Sequence, residues 1–571
     1  MHDLVITGGT LVDGSGQPRR NGDLAIDGDV ITQVGGRAGA ARRTIDASGA
    51  LVTPGWVDVH THYDGQVTWD PYCSPSSWHG VTTVVMGNCG VGFAPVKPER
   101  RDWVIGLMEG VEDIPGAALN EGIRWDWETF PQYLDALSRT ALAVDVGAQV
   151  PHGALRVYAM GERAVPDDSV ATPEDIAAMA AELRASLRAG ALGFSTSRTL
   201  IHKGADGKLV PGTFANRDEL FGLGRVLGQE RRGVFQMTSN HIDMLDETRW
   251  MMDLARETRR PVLFNLQQID PAPDLWLQLV ARLDEARAEG VPLIGSIPGR
   301  PAGVLYGWRA SSHPFHFHRT WRDTVALPIE QRIAQLQRPE VRAQLLAEQV
   351  PVADERAAFM LRSFGKMYRV DAAQPDYEPA AADSAEAVAR ARGVSPFEVV
   401  YEWMMADGGN GIVYFPIFNY SYNDFSHLHR LLQHPQTMIS LGDGGAHVGY
   451  ITDAGLPTFM LTHWTRDRRR GPTLPLEDIV RRQTSHTAQV YGLGDRGLLR
   501  AGMKADVNVI DYQQLRSDAP YMAYDLPAGG KRLLQKAQGY VATLVAGQPI
   551  FEGGSATGAL PGRLVRGAAA E

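Results

Sequence analysis

Short apolar runs alternate with helix-period segments through the middle of this chain, and that rhythm restricts the fold more than any other feature. The runs fall at Gly55–His62, Gly80–Cys89, Leu142–His152, Ala191–Ser197, Gly233–Thr238, Pro261–Gln267, Val291–Pro298 and Thr437–Asp443. Helical patterns such as Thr172–Ala189 and Arg217–Glu230 precede most of them. Thr172 is placed as an N-cap, with Pro173 at the first helical position and Gly190 as the stop. Eight strands in a β/α rhythm predict an α/β protein, a parallel (β/α)8 barrel of the TIM type. Gly411–Phe418 is a ninth candidate strand, so the numbering late in the chain stays open. The stretch from Arg300 to about Asn410 is too long for a loop and is expected to be a helical insertion over one end of the barrel.

The chain ends have a different texture. Asp3–Thr7, Thr10–Val12, Gly22–Ile26 and Val30–Gly35 read as short strands separated by Gly-Gly, Asp-Gly and Gly-Ser turns. Ala505–Tyr512 reads as a strand, and Val541–Phe551 as a hairpin turning at Ala-Gly-Gln-Pro. These segments predict one small β-sandwich domain built from both termini, 1–54 and 497–571, around a barrel at 55–496 with its insertion at about 300–410. The tail Ala568–Glu571 is expected to fray.

Composition narrows the class. Over 571 residues, 44% are hydrophobic and 21% charged, which excludes a disordered chain. A formal charge of −10 argues against nucleic acid as a partner. No apolar run reaches the roughly 18 residues of a spanning helix, so no membrane partner is expected. The opening MHDLVITGGT lacks the basic-then-apolar pattern of a secretory signal. The two cysteines, Cys73 and Cys89, cannot build a disulfide framework, which points to the cytoplasm.

The sharpest chemical signal is Val57-Asp58-Val59-His60-Thr61-His62. Residues i and i+2 of a strand share a face. His60 and His62 therefore point together into the barrel at the C-terminal end of its first strand, where barrel active sites lie. Two imidazoles on one face are half of a metal site; the alternative is two ordinary strand histidines.

With these residues in view, LVTPGWVDVHTHYD at 51–64 resembles the first-strand signature of the amidohydrolase superfamily. Gly497–Asp511 is similar to the return into that superfamily's split β-sandwich. The run Gly80-Val-Thr-Thr-Val-Val-Met-Gly-Asn-Cys89-Gly, Gly190–Ser197 and Glu109–Pro115 resemble the N-acyl-D-amino-acid deacylase (D-aminoacylase) branch. The resemblance spans nearly the whole chain. It implies that Cys89, at the end of the second strand, is a metal ligand beside His60 and His62; a metal lowers a thiol's pKa and holds the thiolate. Cys73 has no such context and is read as structural. The resemblance also implies that Asp443, in Ile439-Ser-Leu-Gly-Asp-Gly-Gly-Ala-His447, binds the metal and shuttles a proton from water to the leaving nitrogen.

The chain departs from the branch in two places. The branch has a histidine on each of the fifth and sixth strands. Here those strands read Gly233-Val-Phe-Gln-Met-Thr-Ser-Asn-His241 and Pro261-Val-Leu-Phe-Asn-Leu-Gln267. His241 lies late and is the candidate ligand of a second metal. One zinc ion per chain, held by His60, His62, Cys89 and Asp443, is the preferred reading, with two as the alternative. The branch's His-Pro-Arg pattern after the aspartate is also absent.

The expected function is metal-dependent hydrolysis of a carbon–nitrogen bond in a small-molecule amide, an N-acyl (D-)amino acid or a related compound. The alternatives are a cyclic amide or imide hydrolase with the same metal chemistry, and a relative that binds a ligand without turning it over. A homo-oligomer is left open. Candidate substrate contacts are Arg198 and Arg300, each a bidentate grip for a carboxylate, with His152 and His447 to polarise a carbonyl. His202 is a further candidate for that task. The cluster His313, His316 and His318 in the insertion is read as a lid or interface segment.

Overall fold

The computed structural model describes residues 1–440 and 442–568. Leu441, inside the expected eighth strand, and 569–571, inside the expected frayed tail, lie outside the described residues.

Among the described residues, eight parallel strands form at the expected places. They are β1 (Trp56–Asp58), β2 (Val81–Met86), β3 (Asp145–Ala148, resumed at Val150–Pro151) and β4 (Gly193–Ser197). The others are β5 (Val234–Thr238), β6 (Val262–Asn265), β7 (Leu293–Ile297) and β8 (Thr437–Ile439). Each pairs in parallel with the next along the chain. A parallel bridge between Thr61 and Gly444 links the segment after β8 to the segment after β1. The strands are buried on both faces, which is why they read as continuous apolar runs.

Helices fill the connections, and local chemistry sets their ends. Pro173–Ala189 starts at a capping box in which the Thr172 side chain accepts from the Asp175 N–H. It stops at Gly190, whose φ of 109° is left-handed and suits glycine. Met179, Leu183 and Leu187 form its buried face.

The ninth candidate strand is not part of the parallel run. Val413–Pro416 pairs antiparallel with Gly303–Tyr306 and with Tyr368–Arg369. The insertion is therefore mixed rather than helical, and it extends past residue 410. It carries its own core, which includes Tyr306, Trp308, Trp321, Tyr401 and Phe415. A four-residue apolar strand has the same local pattern in either sheet, and only its partners distinguish the two. The insertion grips the loop after β8: the Leu305 N–H donates to Tyr450 O at 2.8 Å, and the Ser311 N–H to Gly449 O at 3.0 Å.

Among the described residues, segments from both ends of the chain join one nine-stranded hydrogen-bonded network. Leu51–Pro54 pairs with Val507–Ile510, which pairs in turn with Tyr540–Val545. The expected first two strands are one strand, His2–Leu11. Gly8-Gly9 makes a bulge there rather than a turn, with Gly8 at φ 69°. The bend lets this strand pair with Ala41–Asp46 along its first half and with Leu51–Pro54 at its end. Leu4, Ile6, Leu24, Val52, Val507, Val509 and Leu544 form the core. Among the described residues, no helix is long and apolar enough to cross a membrane.

Candidate metal centre

The chain stays extended past β1. The Thr61 N–H and hydroxyl both donate to Val85 O, at 3.1 and 2.9 Å. His60 and His62 consequently share a face, with ring centroids 5.5 Å apart. Their Nε2 atoms lie 3.2 and 3.6 Å from Cys89 Sγ. His60, His62 and Cys89 are all buried, and their donor atoms lie within 4.8 Å of one another. Asp443 Oδ1 stands 3.3 Å from His60 Nε2 and 3.9 Å from His62 Nε2. Bonds of zinc to nitrogen and sulfur set donor–donor edges of about 3.3–3.8 Å in a tetrahedron. His60, His62 and Cys89 fit a metal by both spacing and chemistry, and the Asp443 carboxylate stands beside the two imidazoles.

The backbone at these donors is unusual. Cys89 has φ 56° and Asp443 φ 46°. Non-glycine residues there are held by their surroundings, and such strain collects at functional sites. The Cys89 N–H donates to Gln236 Oε1 at 3.1 Å, and the Asp443 N–H to His60 O at 3.0 Å. Glycines allow the loop after β8 to lie on the segment after β1. A Cβ on Gly442 would meet Asp58 Oδ2 at 2.2 Å, and one on Gly445, at φ 86°, would meet His62 O at 2.7 Å.

Burial and charge set the protonation pattern. Burial pushes the Asp443 carboxyl up to about 7, against the pull of His62. Its side chain keeps 20% of its surface open, so it is reachable. Burial raises the Cys89 thiol, opposed by His62. Burial, reinforced by the charge of His62, presses His60 well below its ordinary value. Burial presses His62 down, but Glu112 and Cys89 together outweigh it and hold this imidazole well up. Burial pushes Asp58 to about 7; its Oδ1 accepts the His60 N–H at 3.1 Å.

Two participants were absent from the sequence reading. Gln236 comes from β5 and holds the Cys89 backbone. Glu112 ends the helix Arg101–Glu112 and puts Oε1 3.0 Å from His62 Nδ1. The only sequence sign of Glu112 was its place in the Glu109–Pro115 segment.

The other candidates divide. His447 lies near the centre, 17% exposed, with Nδ1 4.0 Å from Glu112 Oε2. Its ring is 5.7 Å from that of His202. His241 is not among the converging donors; it is buried with its ring 4.7 Å from that of Phe418, and burial pushes it down to about 4. Three substrate contacts expected from sequence are committed elsewhere. His152 is buried and spends both nitrogens, on Thr196 Oγ1 at 2.8 Å and Glu219 Oε1 at 2.9 Å. Arg198 pairs with Glu247 at 3.2 Å and donates to Thr213 O and Ala215 O. Arg300 is 2% exposed, donates to Asp453 and Thr452 O, and lies 4.0 Å over the Tyr377 ring. A guanidinium already paired with a buried carboxylate is a poor grip for a second one. His313, His316 and His318 sit among Trp308, Phe315 and Trp321 in the insertion.

A His-x-His pair joined by a cysteine and an aspartate at the ends of parallel strands defines a class. The chain belongs to the amidohydrolase family, whose model matches residues 43–551. It is similar to the D-aminoacylase of Alcaligenes xylosoxydans xylosoxydans, 30% identical over 577 residues, covering 100% of this chain and 98% of that one. It is 29% identical over 542 residues to the N-acyl-D-glutamate deacylase of the same organism, covering 92% and 91%. Among solved structures it resembles N-acyl-D-glutamate deacylase from Bordetella bronchiseptica, complexed with zinc and a phosphonate inhibitor. That match has a TM-score of 0.66 and 25% identity, and covers 99% of both chains.

Proposed function

We propose that this protein is a metal-dependent amidohydrolase that cleaves the amide bond of an N-acyl-D-amino acid. Its catalytic body is a (β/α)8 barrel over 55–496, with 1–54 and 497–571 as a β-sandwich domain. The observation that carries the reading is the convergence of His60 Nε2, His62 Nε2 and Cys89 Sγ beside Asp443 Oδ1. These four side chains are assigned as the ligands of one zinc ion, a His/Cys/Asp mixture that suits zinc. When bound, zinc supplies Lewis acidity, polarising a carbonyl and acidifying water.

Asp443 is the proton carrier. Its partly open carboxylate accepts a proton from the attacking water and returns it to the leaving nitrogen. His447 is open enough to face the substrate carbonyl. The relatives' substrates, the full length of the match and the two buried, unbridged cysteines support a cytoplasmic enzyme of small-molecule amides.

The test is the zinc-loaded protein and its Asp443→Asn variant assayed against N-acetyl-D-amino acids for release of free amine. Loss of one acid–base group is expected to slow hydrolysis by about 10²–10⁴-fold. A variant as fast as the wild type would sink the assignment. Turnover only of cyclic amides, to a single product, would replace the substrate class and leave the metal site in place.

A further inference from the structure

We propose that Glu112 is the positioning residue of this site: its carboxylate fixes His62 with the proton on Nδ1 and Nε2 turned to the metal. This rests on the zinc reading above.

The location of Glu112 is costly without a purpose of this kind. It has no exposed surface. It is the last residue of its helix, where the macrodipole disfavours an anion. A buried carboxylate is retained only when paired. Its Oε1 lies 3.0 Å from His62 Nδ1, a contact of opposite charges rather than an aligned hydrogen bond, while Oε2 is 4.0 Å from His447 Nδ1.

The consequence for His62 follows from imidazole chemistry. A neutral ring has one N–H and one lone pair. A carboxylate at Nδ1 demands the N–H there, which leaves the lone pair on Nε2. Nε2 is the atom that approaches Cys89 Sγ. Histidine ligands of metals usually have such a partner on the far nitrogen, and it sets both tautomer and ring orientation. The backbone adds a second tie. The Val448 N–H donates to Glu112 O at 3.0 Å, so this residue also anchors the loop that carries Asp443 and His447. One residue thereby ties a ligand from the segment after β1, through its side chain, to the loop after β8, through its backbone.

The experiment uses the full chain and the isosteric Glu112→Gln variant. Zinc affinity is measured by competition with a chromophoric chelator. The tautomer of His62 is read by nitrogen-15 NMR of histidine-labelled, zinc-loaded wild type. The proposal expects zinc to bind about 10–100-fold more weakly to the variant, with His62 bearing its proton on Nδ1 in the wild type. Unchanged zinc affinity in folded Glu112→Gln overturns it. So does a wild-type His62 with its proton on Nε2, a result that needs no variant to fold. Wild-type protein that takes up no zinc overturns the metal reading, and this proposal with it; the two failures are separable because only the first leaves a zinc-loaded enzyme.

Discussion

At the residue scale, the site separates side chains that face a reaction from side chains that brace the frame. His60 and His62 were legible because period-2 geometry puts alternate residues on one face, whatever surrounds them. Cys89 and Asp443 were legible through the motifs that contain them. Glu112 and Gln236 were not, because one arrives from a helix end and the other from β5. His152 shows the opposite error: a histidine at a strand end looks available until its two partners are seen. His152→Ala should destabilise the protein by about 2–3 kcal/mol, since it leaves Glu219 less well paired in the interior, and should leave KM unchanged. Chemical denaturation beside steady-state kinetics checks this; a raised KM with normal stability would restore His152 as a substrate contact.

His79 carries a second residue-scale prediction. It is buried, with Nδ1 2.8 Å from Thr458 Oγ1 and Nε2 3.0 Å from Gln535 O, and burial pushes it down to about 4 from 6.5. The folded state then binds fewer protons than the unfolded chain between those values. Its contribution is complete above about pH 6.5 and is lost as pH falls towards 4, by up to about 3 kcal/mol. Urea midpoints at pH 7 and pH 5 should fall less for His79→Asn than for wild type; an equal fall would refute the assignment to this residue.

At the element scale, the terminal β segments are fastened to the parallel strands by charge as well as by pairing. Asp145 of β3 accepts from Arg496 at 2.5 Å and from Lys504 at 2.7 Å, and all three are buried. Lys504 also pairs with Asp506 at 2.8 Å. Asp145→Ala leaves two buried cations short of a partner, and a loss of about 3–5 kcal/mol is expected by calorimetry; a change under about 1 kcal/mol, typical of an exposed pair, would show the network to be dispensable. Val413–Pro416 is the strand expected there, and the sheet it joins stayed open in the sequence for the same reason that the network was invisible. An apolar tetrapeptide does not encode its partner, and neither does a lone Asp145.

At the scale of the whole molecule, the site is assembled from β1, β2 and the loop after β8, with the insertion holding that loop through Gly449 and Tyr450. A metal bound there joins the start of the parallel run to its end. Zinc should therefore raise Tm, with a stabilisation of about 2.7 kcal/mol when free zinc is 100-fold above Kd. A chelator should reverse the shift, and Cys89→Ala should shrink it. Thermal scans with and without chelator decide this, and identical curves would show that no folded-state metal site exists.

The sequence by itself determined the β/α alternation, the joining of both chain ends in one β unit, and the shared face of His60 and His62. These depend on periodicity and turn chemistry, which act over a few residues. Only the tertiary structure decided which polar side chains are free. Arg300 meets Asp453, 153 residues away, and the pairing of His62 with Glu112 is likewise non-local. Burial and ion pairing are set by contacts between distant segments, so a residue's type announces its chemistry while its packing decides whether that chemistry is already spent.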